Sequence, residues 1–177
     1  MKLFGKILIG ILVIIAIPLI MALFMKNEYA VEREITINKP QQEVFNYIKY
    51  LKNQDYYSEW VMIDPAMKKE FKGADGTVGF IYGWDGNDKA GKGEQEITRL
   101  IEGKEVDTEV RFEKPMQGVA YATMKTTAIS AVQTKVDWKM KGSNAYPCNF
   151  MNLFVDGMLG KDMEKSLVNL RENLAQR

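Results

Sequence analysis

The chain has 177 residues, with 24 Lys and Arg against 23 Asp and Glu, no histidine and one cysteine. This balance gives no basic surface for nucleic acid, and the missing imidazole excludes His-dependent triads and the common zinc sites. The lone Cys148 forms no internal disulfide and, with no histidine to activate it, is expected to be a packed thiol rather than a nucleophile.

Ile7 to Met25 form a run of 19 uncharged apolar residues, ILIGILVIIAIPLIMALFM. At ~1.5 Å per residue such a run nearly matches a bilayer core about 30 Å thick, and it has no polar face of the kind a soluble helix shows. A cleaved secretory signal is the rival, with Lys2 and Lys6 as its charged head. Its apolar stretch is usually shorter, about 7 to 15 residues, and small residues mark its cleavage site. Here bulky Ile20 stands two before Ala22, and Glu28 two before Ala30. Pro18 is tolerated in a membrane span, where its lost hydrogen bond is re-satisfied locally. Residues 1–26 are therefore expected to be an uncleaved anchor through residues 7–25, and residues 27–177 one domain. Lys2, Lys6 and the terminal amine before the span, against Lys26 and Arg33 after it, point to a single-pass topology with a cytosolic N-terminus and the domain on the outer face. Beyond the span, 22 basic residues face 23 acidic ones, and roughly 150 residues suffice for a full core.

Tyr29, Val31, Arg33, Ile35 and Ile37 alternate with Ala30, Glu32, Glu34 and Thr36, which predicts a two-faced strand. Asn38 is placed to cap the next helix, with Pro40 in the first turn, Gln41 three residues on, and Val44, Phe45, Ile48 and Leu51 as an apolar stripe. A short helical or irregular piece over 54–61 ends near Asp64 and Pro65. From Lys68 strands follow one another. Val78, Phe80, Tyr82 and Trp84 alternate before the turn Asp85-Gly86-Asn87-Asp88, predicting a hairpin. Strands follow over 93–101, 105–112 with Val106, Thr108, Val110 and Phe112 on one face, about 119–130, and 134–141 with Val136, Trp138 and Met140. The last segment reads as a helix with Met163, Leu167, Leu170 and Leu174 spaced 4, 3 and 4, its N-terminal part weakened by Gly157 and Gly160. Short connections mean antiparallel pairing, so one curved sheet is covered by helices from both ends of the domain. That is an α+β fold.

The start VEREITINKPQQEVFNYI, the segment WVMIDP at Trp60–Pro65, the GFIYGWDG hairpin followed by GKGEQEI, the FEKP strand end, VDWKMKG and the late LGKDMEKSLVNL helix carry a resemblance over nearly all of residues 28–177. Together they resemble the helix-grip fold of the START and SRPBCC superfamily, in its bacterial polyketide cyclase-like branch. The resemblance implies a cavity between the sheet and the C-terminal helix that receives a small apolar molecule, a lipid or polyketide-like compound. It carries no catalytic residue, because superfamily enzymes have no common catalytic motif and fold does not transfer a reaction.

Trp60, Phe80, Tyr82, Trp84 and Trp138 are the candidate ligand-binding residues, since aromatic rows on a cavity-facing sheet make apolar walls; ordinary core packing is the alternative. Glu94, Glu96, Asp64 and Arg111 are the groups general acid/base work would ask for. Whether Glu94 and Glu96 face inward is left open by the mixed alternation Gln95, Ile97, Arg99, and exposed charge is the plainer reading. The glycines at 73, 76, 79, 83, 86, 91 and 93 sit in or between strands, not at the opening of a helix, so they read as turns and bulges and not as a phosphate loop. The lysines at 68, 69, 72, 161 and 165 are interrupted by acids and read as solvated faces with anionic lipid as a minor partner. Neither a cofactor nor a metal site is implied. Three functions follow: a membrane-tethered binder of an apolar ligand, a cyclase/aromatase- or hydratase-type enzyme using a cavity carboxylate or tyrosine, and an interaction domain with a filled core.

Overall fold

The computed structural model describes residues 2–177, with side chains from Phe4 onward; the terminal amine and the Lys2 side chain, used above for orientation, lie outside the described residues. Helix α1 spans Lys2–Phe24, and Phe4–Phe24 are long and apolar enough to cross a membrane. Strand β1 follows over Glu28–Ile37.

The expected cap of the next helix does not form. Pro40 occupies the N-cap of α2 (Gln41–Ile48) without a side-chain cap bond. Asn38 Oδ1 instead accepts from Gln133 Nε2 at 2.9 Å, and Gln41 Nε2 donates to the Thr126 carbonyl at 2.9 Å. Both side chains are taken up by sheet partners that only the fold supplies. A 3-10 turn (Leu51–Tyr56) and a single-turn helix α3 (Glu59–Met62) complete the early helical segment.

Six more strands follow: β2 (Lys68–Lys72), β3 (Ile81–Asp85), β4 (Lys92–Ile101), β5 (Glu105–Lys114), β6 (Gly118–Ser130) and β7 (Gln133–Ser143). All seven form one antiparallel sheet in the order β1-β7-β6-β5-β4-β3-β2. Strand β3 starts later than alternation suggests. Val78 lies exposed in a turn that the Phe80 N–H closes on the Thr77 carbonyl at 3.2 Å.

The inner face of the sheet carries Val31, Ile97, Val106, Val110, Val136, Trp138 and Met140 against α2 and the long helix α4 (Asn152–Ala175). Met163, Leu167, Leu170 and Leu174 are all buried, as their spacing predicts, and each contributes roughly 1.5–3 kcal/mol by leaving water. Helix α4 also runs through both glycines. At Gly160 the reason is close approach, since a Cβ there would collide with the Arg33 guanidinium. Arg33 crosses the helix at this point to reach Glu164 (2.6 Å) and Asp156 (3.0 Å), clamping α4 onto β1.

Candidate functional site

Between the inner face of the sheet, α3 and α4 lies a cavity of about 280 Å³. Its aromatic walls are Tyr29, Trp60, Tyr82, Trp84, Phe112 and Trp138, and its aliphatic walls include Val61, Val110, Met140 and Leu159. Strand alternation explains the set: Val110 and Phe112 point inward from β5, Trp138 and Met140 from β7, and Tyr82 and Trp84 from β3. Trp60 of α3 meets Trp138 edge-on, with centroids 5.6 Å apart at 75°, and Trp84 meets Phe112 at 6.1 Å and 78°. Such edge contacts fix the rings as walls. Gly93, opposite Phe112 in the ladder, leaves the space that the Trp84 indole fills.

Four of the five aromatic candidates, Trp60, Tyr82, Trp84 and Trp138, thus line one space. Phe80 does not. It precedes β3, is 1% exposed, and stacks on Phe71 at 6.3 Å beyond the cavity lining.

The polar groups of the wall are few. Gln95 points inward from β4 and donates from Nε2 to Thr108 Oγ1 at 2.9 Å. The Tyr82 hydroxyl donates to Asp55 Oδ1 at 2.6 Å, and burial together with the neighbouring Asp55 charge raises its pKa far above the usual phenol value. Burial also raises that of Tyr29. Lys89 and Lys114 are exposed lining residues and, with Pro115, mark the mouth. Among the described residues neither lysine is in an ion pair, and the lining contains no Asp or Glu.

The acids singled out in the sequence are used elsewhere. Arg111 on the outer face of β5 holds Glu94 with Nε, Glu96 with Nη2 and Glu109 with Nη1, each at 2.7 Å. Those three hydrogen bonds raise the Arg111 pKa. Glu96 stands directly opposite Glu109, a repulsive cross-strand pair that the shared guanidinium neutralises. Asp64 ties two loops, accepting from Asn87 N at 2.7 Å and from Ala66 N at 3.1 Å. Cys148 is exposed, not packed, because its neighbour Asn149 takes the buried position. Sequence reasoning missed Gln95, Tyr29 and the mouth lysines; strict alternation from Ile97 would have turned Gln95 inward.

A larger outer depression of about 480 Å³ over β2, β3 and β4 is lined by Lys68, Lys69, Lys72 and Lys92 with Glu70, Asp85 and Glu113. Several of its charges are paired, Lys92 with Glu113 at 2.9 Å, Lys72 with Glu70 at 3.6 Å, and Lys69 with Asp55 at 2.8 Å. This is a solvated face.

The chain matches no protein-family model and no curated protein sequence. Solved structures do match. Norcoclaurine synthase from Thalictrum flavum, in complex with dopamine and hydroxybenzaldehyde, superimposes with a TM-score of 0.67 at 8% identity, over 89% of this chain and 92% of that one. Ara h 8.0201 gives 0.61 at 12% identity, over 85% and 99%. A structural-genomics protein from Chromobacterium violaceum gives 0.59 at 11%, over 81% and 94%. The fold is the Bet v 1-like helix grip. At these identities the likeness is one of fold, and in this helix grip the cavity lies under the first turns of the gripping helix, where Leu159 closes one wall.

Proposed function

We propose that the chain is a membrane-tethered binder of a small apolar or amphipathic molecule, held in the cavity between sheet and α4. The observation that carries this reading is the lining itself: aromatic and aliphatic walls, uncharged polar side chains at Gln54, Ser58 and Gln95, and two lysines confined to the mouth. A wall of that kind selects by shape, with few polar anchors. A volume of about 280 Å³ sits near the lower end of the usual ~300–1,000 Å³ range, which suits one acyl chain or a small ring system. Lys89 and Lys114 then meet a polar or anionic head. A carboxylate-driven cyclase or hydratase gains no support from this wall, since Glu94 and Glu96 are held outside by Arg111. Norcoclaurine synthase, whose structure holds two small aromatic molecules, is an example of this fold receiving ligands of modest size. On the segments from VEREITINKP to LGKDMEKSLVNL, we place the chain beside the polyketide cyclase-like branch of the SRPBCC superfamily.

Helix α1 supplies the tether, with residues 1–26 as anchor, residues 27–177 as the binding domain, the N-terminus in the cytosol and the domain outside. What supports this is the length of Phe4–Phe24 and the exposure of its apolar side chains, which water would penalise and lipid would not. The test uses the full chain in lipid nanodiscs with a diazirine-bearing palmitate, irradiated and mapped by mass spectrometry. Adducts are expected on Trp60, Val110, Trp138 or Met140. Adducts confined to α1 would refute the binding site.

A further inference from the structure

Antiparallel pairing brings alternate strand ends to one edge of the sheet. The edge where α1 enters holds Glu28 opposite Ser143, Gly118 opposite Phe112, and Lys114 opposite Lys92, so the β3–β4 and β5–β6 turns lie there too. Those turns carry Lys89, Lys114 and Pro115. The cavity therefore opens at the anchored end of the domain.

The joint between anchor and domain is built. Asn149 Nδ2 donates to the carbonyls of Ala22 (2.8 Å) and Met25 (3.1 Å), and Asn152 Nδ2 donates to those of Lys26 (3.0 Å) and Asn27 (2.9 Å). The start of α4 is thereby held beside the end of α1. Its first two turns expose Leu153 (56%), Phe154 (56%) and Met158 (66%), while Val155 and Leu159 pack against the core. Phe154 and Met158, four residues apart, share one helix face. In the β5–β6 turn Met116 is 60% exposed at the same end. Nearby charges are of both signs, Lys26, Lys89 and Lys114 with Asp85, Asp88 and Glu113, so net charge supplies little attraction.

On the reading that α1 spans a bilayer, we propose that this face of α4, with Met116, docks into the interfacial layer of the same leaflet from which α1 emerges, and that the cavity takes its ligand directly from that leaflet. An apolar helix face of this kind sinks about 5–10 Å into the headgroup and acyl boundary. The mouth between Lys89 and Pro115 then faces lipid, and the two lysines lie at headgroup level.

The experiment uses the full chain with Cys148→Ser, carrying single cysteines from Phe154→Cys, Met158→Cys, Met116→Cys or, at the opposite end of the sheet, Val132→Cys. Each is labelled with the fluorophore NBD and placed in phosphatidylcholine nanodiscs. Emission from 154, 158 and 116 is expected to shift to the blue and to be quenched by spin-labelled acyl chains, with little change in added salt. Emission from 132 is expected to stay that of water. These exposed positions tolerate substitution with little loss of stability. Alkaline carbonate extraction separates the two readings. A chain that carbonate strips from the bilayer overturns the spanning helix and the docking surface with it. A chain that resists extraction while its probes at 154 and 158 emit like the probe at 132 overturns the docking surface alone.

Discussion

Replacing Leu167 by alanine removes a side chain that is 1% exposed on the inner face of α4, beneath the sheet. Truncation of a buried Leu costs ~2–5 kcal/mol, combining lost transfer energy with the cavity left behind. For a domain of this size each kcal/mol lowers Tm by roughly 2–4 °C, so a fall of about 4–20 °C is expected. Lys165, two residues earlier, is the control. Its side chain is 52% exposed, and its ammonium lies 3.5 Å from Glu59. Exposed pairs of that kind contribute about 0–1 kcal/mol, so Lys165→Ala is expected to shift Tm by no more than about 4 °C. The assay is thermal melting of the detergent-solubilised full chain followed by near-UV circular dichroism, which reports tertiary packing around the tryptophans and not the α1 helix. Equal shifts for the two variants would refute the assignment of the buried face of α4. So would a loss confined to Lys165→Ala.

Two further outcomes follow from the helix clamp and the topology. The Arg33 hydrogen bond lowers the Asp156 pKa from its ordinary 3.8; a depressed folded value means stability fully present above the unfolded pKa and lost as pH falls through the folded one. Asp156→Asn is therefore expected to melt earlier than the parent chain at pH 6–7 and to converge with it in acid below about pH 4, and a gap independent of pH would refute the clamp. Cys148 is the chain's single cysteine and is exposed, so a membrane-impermeant maleimide added to intact cells is expected to label it, and labelling only after lysis would place the domain in the cytosol.

The strands and the late helix were legible because burial imposes their periods directly on the sequence: Val136, Trp138 and Met140 in steps of two, Met163 to Leu174 in steps of four and three. Features set by partners distant in sequence were not. Nothing near Asn38 announces that Gln133 takes its side chain, and nothing near Gly160 announces Arg33, 127 positions earlier. Locally, glycine is a weak helix former, whereas at position 160 its use is to let the Arg33 side chain pass. The long apolar helix was legible from composition, yet its joint with the domain was not, because Asn149 and Asn152 look like ordinary turn residues until the Ala22 to Asn27 carbonyls are beside them.

The functional reading turns on register more than on composition. Strands β4 and β5 together carry Glu94, Glu96, Glu109 and Arg111 on one face and Gly93, Gln95, Ile97, Thr108, Val110 and Phe112 on the other. A slip of one residue in a strand exchanges its two faces completely. Had the acids pointed inward, three carboxylates would line the wall and an acid/base mechanism would have its groups. The observed register sends them out to Arg111 because the inward alternative would bury their charges without enough cations to pair them, a cost far above that of burying one amide. Gln95 is what β4 leaves facing the cavity, and its hydrogen bond to Thr108 is neutral and internally satisfied.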